Sequence, residues 1–208
     1  MSPEPMRWEL LDADDERLTR TRDPRRAAAR LSAAALPPEQ EHDRGRVLAW
    51  LDEHGAALAD RTTSPGHLTG SALVVDATGT RVVVLLHTKL RRWLQPGGHA
   101  DGDLELAAVA LREASEETGI AGLRVLVPAV DLDLHAVDHG DALGTHLHLD
   151  LRFVVLAPPD ARIEGNHESL ELRWVTLPEL EELADEEGLV RLARAGLAAA
   201  RPVLPGLS

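Results

Sequence analysis

Gly97-Gly98-His99-Ala100-Asp101-Gly102-Asp103 leads through Leu104-Glu105-Leu106-Ala107-Ala108-Val109-Ala110-Leu111 into Arg112-Glu113-Ala114-Ser115-Glu116-Glu117-Thr118-Gly119-Ile120. The stretch reads as a glycine turn feeding one helix. Residues 103 to 118 are expected to be helical, with Asp103 as N-cap, since its carboxylate can accept from free amides of the first turn. Gly119 supplies a left-handed stop. At helical periodicity Leu104, Ala107, Ala108, Leu111, Ser115 and Thr118 share one face, and Glu113, Glu116 and Glu117 lie opposite. The i, i+3, i+4 spacing makes the three glutamates neighbours. Carboxylates held that close repel one another unless a cation sits among them, and hard oxygen ligands favour Mg²⁺ or Mn²⁺, which also bind substrate phosphates. A glutamate cluster on a helix is ordinarily a solvated face. The glycine pair and the spacing to Arg112 favour a site instead.

Counted from Gly98, the spacing is Gly, five residues, Leu104, seven residues, Arg112-Glu113, Ala114, one residue, Glu116-Glu117, one residue, Gly119 and Ile120. This resembles the Nudix box, the motif of Nudix hydrolases. The one departure is Leu104, where the family has Glu. The resemblance implies the Nudix fold for about residues 66–200 and metal-assisted attack of water on a phosphoanhydride. It implies that the Gly97 carbonyl, Glu116 and Glu117 are metal ligands, and that Glu113 binds a metal or orients water. Arg112 would position a box glutamate. Gly98 and Gly119 would give structural support. Leu104 falls on the expected core face, which suggests that packing replaces a polar contact. Asp101, Asp103 or Glu105 could then substitute as the Arg112 partner.

A further carboxylate often joins such a site from a loop ahead of a late strand. Glu168, in Gly165-Asn166-His167-Glu168-Ser169, is the candidate base or metal ligand. Its competing reading is a solvated loop residue. His146-Leu147-His148-Leu149-Asp150 is a rival metal signal, because i, i+2, i+4 side chains share one strand face and two His with a carboxylate can bind Zn²⁺. The blander readings are a polar sheet face or a pocket wall. Asp131, Asp133 and His135 alternate in the same way, so the two faces are expected to line one cleft. His99, Trp93, His148 and Asp150 are the substrate-contact candidates.

The rest of the chain frames this centre. Residues 1–64 form a helical extension, with helices expected over Arg25–Ala35 and Glu39–Asp60, broken by Pro37-Pro38. Val47, Leu48, Leu51 and Leu58 give the second an apolar stripe, read as a packing or dimerisation surface that leaves a homodimer open. A substrate-gating role competes with that reading. Residues 62–66 read as a linker, and residues 65–208 as the hydrolase domain. Strands are expected at Ser71–Asp76, Arg81–His87, Leu123–Val127, Val130–Val137, His146–Leu156 and Leu170–Thr176. Ala77-Thr78-Gly79-Thr80 makes a hairpin of the first two. Pro178–Ala200 reads as a helix interrupted at Gly188. Strands before and after one buried helix, without regular β-α-β alternation, predict an α+β fold, an αβα sandwich on a mixed sheet.

Composition narrows the function. The chain has 208 residues, no cysteine and a formal charge of −13. No thiol can act as nucleophile, ligand or disulfide partner, and so the acid typical of isoprenyl diphosphate isomerisation on a similar scaffold is missing. The acidic balance argues against a nucleic-acid polymer as partner, but not against a small diphosphate whose charge a bound metal offsets. No apolar run is long enough to span a membrane, and Met1–Pro5 lacks the features of a signal peptide. The expected location is the cytoplasm. The expected partner is a small-molecule diphosphate, such as a nucleoside diphosphate linked to another moiety. The competing class is a nucleotide-binding regulatory module with little or no hydrolysis, which the intact glutamate set disfavours.

Overall fold

The computed structural model describes residues 6–138, 145–165 and 169–204. Strand β2 (Gly66–Val75) turns through residues 76–80 into β3 (Arg81–His87), and the two pair antiparallel as the hairpin reading requires. Asp76 fastens the turn: it accepts from the Thr80 and Arg81 amides, both at 3.0 Å, and from the Thr78 hydroxyl at 2.7 Å. β6 (Arg124–Asp138) and β7 (Thr145–Leu156) are antiparallel, while β7 runs parallel to β2. The two segments expected around Pro128 are thus one strand, whose register shifts between Leu126 and Asp131.

Short strands complete the mixed sheet: β1 (Glu9–Leu11) beside β6, β4 (Trp93–Leu94) beside β3, β5 (Gly97–His99) beside β2, and β8 (Ser169–Thr176) beside β3. Among the described residues the sheet has eight strands.

Period-two alternation sorts the core into two layers. Ala72, Val74, Leu149, Leu151 and Phe153 belong to one cluster with Ala107, Val109, Ala110 and Ala114 of helix α3 (Leu106–Thr118). Leu73, Val75, Val154 and Leu156 belong to the other, with Leu192, Ala193 and Ala200 of the closing helix. That is the expected αβα sandwich.

The C-terminal helical segment is two helices, α4 (Leu177–Leu183) and α5 (Glu187–Ala200). The break falls at residues 184–186, and Gly188 lies in the first turn of α5 instead of interrupting a helix. α4 opens on a reciprocal Thr176–Glu179 capping box with Pro178 in its first turn.

The N-terminal helices are α1 (Pro24–Ala33) and α2 (Glu41–His54). Pro24 at the start of α1 and the Asp23 side chain accepting from Arg25 N fix where α1 begins. The apolar stripe of the extension packs inward: Leu31, Val47, Leu51 and Leu58 join the same cluster as α3 and the sheet. Gln40, ahead of α2, donates to Asp131 at 2.6 Å and accepts from the Leu132 amide at 3.1 Å, so the extension also reads the backbone of β6. No helix among the described residues is long and apolar enough to cross a membrane.

Candidate active site

The centre is built where β5 meets α3. Helix α3 starts at Leu106, three residues later than expected, with Glu105 at the N-cap position and no side-chain cap. Asp103 is buried and accepts from the amides of Thr21, at 3.2 Å, and Glu105, at 3.0 Å, so it joins the extension to the loop rather than capping the helix. The buried face also differs from the expected stripe. Ala110 and Ala114 face the core, while Ser115 is exposed. Thr118 closes the helix from within by donating to Ala114 O, and Gly119 ends it in the left-handed region at φ +69°.

The glycine pair permits an approach that no side chain would allow. A Cβ on Gly98 would lie 2.5 Å from Glu113 Cδ, and one on Gly97 would lie 2.2 Å from Ser71 Oγ. β5 can therefore pack against β2 on one side while the Glu113 carboxylate presses against its backbone on the other. Glu117 locks the arrangement: the Gly97 amide donates to Glu117 Oε2 at 2.9 Å. Glu117 is 7% exposed, whereas the Glu116 side chain is 61% exposed. Arg112 donates to Glu113 Oε1 at 2.8 Å and lies 4.0 Å from Glu116. It also donates to the His99 carbonyl at 3.4 Å, so it spans the helix and the glycine strand.

None of the three acids offered as substitutes for a glutamate at position 104 pairs with Arg112. Asp101 pairs with Arg61, whose guanidinium holds the Asp101 carboxyl below the usual carboxylate range. Asp103 takes the two amides above. Glu105, fully buried, pairs with Arg30 at 2.7 Å and Arg26 at 3.4 Å. Leu104 is fully buried in the core cluster, as its position predicts.

The polar strand faces do meet in one row. Register puts Asp133 opposite Asp150 and His135 opposite His148, with His67 and Thr69 of β2 on the far side of His148 and Asp150. Asp150 is buried and accepts from Thr69 Oγ1 and Ser71 Oγ, both at 2.9 Å, and from Arg152 Nε at 2.7 Å. Burial alone would raise its pKa, but the Arg152 guanidinium and these donors hold it below the ordinary value. Arg152 in turn reaches Asp131 and Asp133, and Arg191 of α5 donates to Asp131 at 2.8 Å. This network fastens α5 to β6 and β7.

His99 and His148 come together, with ring centroids 5.1 Å apart. Trp93 stands apart on β4, beneath the Arg173 guanidinium at 4.9 Å. Asn166, His167 and Glu168 lie outside the described residues. The segment before them starts at the C-terminal end of α3, where the Glu164 amide donates to Thr118 O at 2.8 Å.

The strand reading from Ser71 onward missed His67 on β2. The signal was there in the alternation of His67, Thr69 and Ser71, hidden by Gly66 and Gly70, which look like turn residues.

A family model described as NUDIX domain matches residues 66–194. The chain belongs to the Nudix hydrolase family. The matched span starts with β2 and ends inside α5, so β1, α1 and α2 precede it. Among solved structures, a NUDIX-family hydrolase from Clostridium perfringens is 20% identical with a TM-score of 0.50, covering 64% of this chain and 96% of that one. The E. coli dihydroneopterin triphosphate pyrophosphohydrolase is 15% identical with a TM-score of 0.52, covering 63% and 94%. These likenesses are to the Nudix fold. Comparison with curated protein sequences gives no match.

Proposed function

We propose that this Nudix protein hydrolyses a phosphoanhydride bond in a nucleoside diphosphate linked to another moiety, or in a related small diphosphate, using Mg²⁺ or Mn²⁺. The observation that carries the reading is the bond from the Gly97 amide to Glu117. It joins the carboxylate-bearing helix to the strand whose Gly97 carbonyl is the expected backbone ligand. The donor set is all hard oxygen and fits these cations. Gly97, Glu113, Glu116 and Glu117 would hold the metal. Bound there, it would offset phosphate charge and make a bound water more acidic.

The chain's own groups do the rest. Arg112 steadies Glu113 against the helix. Gly98 leaves that carboxylate room. Glu113 or Glu117 would orient the attacking water, and Glu168 is the candidate to take its proton or add a ligand. Pre-placed charge and positioning are the main contributions a protein makes to phosphoryl transfer. His99 and His148 would contact substrate from β5 and β7, while Asp150 holds the wall behind them through Arg152, Thr69 and Ser71. We place this activity in the cytoplasm, with residues 1–64 as an extension that braces the hydrolase domain of residues 65–208.

A hydrolysis screen over a panel of diphosphates with Mg²⁺ or Mn²⁺, with products identified, tests the reading. Release of two phosphate-bearing products from one class of diphosphate is expected. Failure to cleave any of the panel with either metal would overturn it.

A further inference from the structure

Three histidines remote in sequence converge on the sheet face that carries Thr69 and Ser71. His67 of β2 and His148 of β7 are register partners across the parallel pair. His99 of β5 enters from the other side of β2, where it is opposite Thr69. Their ring centroids lie 4.8 Å apart for His67 and His148, 5.1 Å for His67 and His99, and 5.1 Å for His99 and His148. One nitrogen from each ring can be chosen so that all three lie within 4.8 Å of one another. We propose that His67, His99 and His148 form a second metal site, distinct from the box carboxylates, that takes Zn²⁺ or a similar nitrogen-seeking divalent ion.

Three physical points carry it. The first is convergence. Register partners on neighbouring strands are about 4.8 Å apart, closer than the roughly 7 Å between i and i+2 on one strand. The site uses three strands, one ligand from each. The second is donor type. Imidazole nitrogen suits Zn²⁺, Co²⁺, Ni²⁺ and Cu²⁺, while Mg²⁺ and Mn²⁺ prefer the oxygens of the box.

The third is geometry. Zn–N bonds of about 2.0–2.1 Å put tetrahedral ligands roughly 3.4 Å apart, so side-chain rotation must bring the nitrogens inward by about an ångström.

Three histidines leave a fourth tetrahedral position for water or a phosphate oxygen. His99 turns its ring to this face, whereas Gly98 beside it turns toward Glu113. Glu113 and the His99 ring therefore meet β5 on opposite faces. Asp150 is engaged by Arg152, Thr69 and Ser71, which leaves the ligand set neutral and the loaded site cationic.

The test uses the full-length protein stripped of metal, with Mg²⁺ in excess to fill the box, titrated with Co²⁺ alone. A four-coordinate, nitrogen-rich Co²⁺ gives strong visible absorption; an oxygen-bound six-coordinate one gives weak absorption. We expect the strong band at one ion per chain, displaced by Zn²⁺. It should be lost in His99→Gln and in His148→Gln, and kept in Glu116→Gln/Glu117→Gln. X-ray absorption at the zinc edge of the wild-type protein counts imidazole scatterers independently of any variant, and three are expected. Weak absorption only, a band that survives in both histidine variants, or an oxygen-only shell at the zinc edge would each overturn the site.

Discussion

Arg30 of α1 donates to Glu105 at 2.7 Å, and Glu105 is fully buried directly after Leu104, the position where this chain departs from the Nudix box. The extension thus supplies the countercharge for an acid at the entrance to the box helix. Arg26 adds a second, more exposed contact at 3.4 Å. Arg30→Met should cost about 3 kcal/mol, since removing one partner leaves a buried carboxylate poorly paired. Adding Glu105→Leu should restore much of that loss. Urea denaturation of the two single variants and the double variant checks the coupling, and additive losses would contradict it.

Leu104→Glu restores the family residue but should harm this protein. The side chain is fully buried in the core cluster, and Arg112 already pairs with Glu113. Burying an unpaired carboxylate there should cost at least about 3 kcal/mol. A lowered melting temperature without a gain in kcat is the expected result. A rise in both would show that the position has kept its family role.

Two glycine-to-alanine substitutions should have opposite effects. In Gly98→Ala the new methyl meets Glu113 Cδ at 2.5 Å, so the carboxylate must move. Turnover should fall by about a hundredfold or more, as expected for misplacing a catalytic group by an ångström. Gly45, exposed on α2, has nothing within 4 Å of an added Cβ. Gly45→Ala should raise stability by about 0.5–1 kcal/mol with activity unchanged. Steady-state kinetics and thermal melts on both variants separate the two effects.

Asp76 sets an acid limb of stability. Burial would raise its pKa, but the Arg81 and Thr80 amides, the Thr78 hydroxyl and the Arg81 guanidinium outweigh that and hold it below 3.8. Because the folded value is the lower one, the contribution is fully present above about pH 4 and fades as pH falls through the folded value. Asp76→Asn should therefore cost about 1–3 kcal/mol at pH 7, with the gap to wild type closing below about pH 4. Denaturation curves at a series of pH values read this directly, and a pH-independent gap would contradict it.

Much of the centre was legible because its spacing is local. Arg112, Glu113, Glu116 and Glu117 sit within two turns of one helix, and Gly97 and Gly98 directly precede its entry loop. Arg81–His87 and His146–Leu156 were legible through their runs of β-branched or alternating residues. What sequence could not give was partnership across the chain. Nothing near Glu105 points to Arg30, 75 residues earlier, and nothing near Asp131 points to Gln40. The start of α3 slipped to Leu106 because Asp103 found tertiary donors in the Thr21 amide as well as a local one. His67 went unread because Gly66 and Gly70 look like turn residues, and the rings it meets, those of His148 and His99, come from β7 and β5.

The central claim is that the box glutamates of this chain form a working metal centre for diphosphate hydrolysis. The most direct measurement is the initial rate of cleavage of the best diphosphate from the screen, under Mg²⁺, by wild type, Glu116→Gln and Glu117→Gln. Each substitution removes one ligand charge with little change of volume, and the amide side chain introduced by Glu117→Gln keeps an oxygen that can accept from the Gly97 amide. The account predicts that kcat falls by orders of magnitude in both variants while their melting curves stay close to wild type. Near-wild-type turnover in both would contradict it.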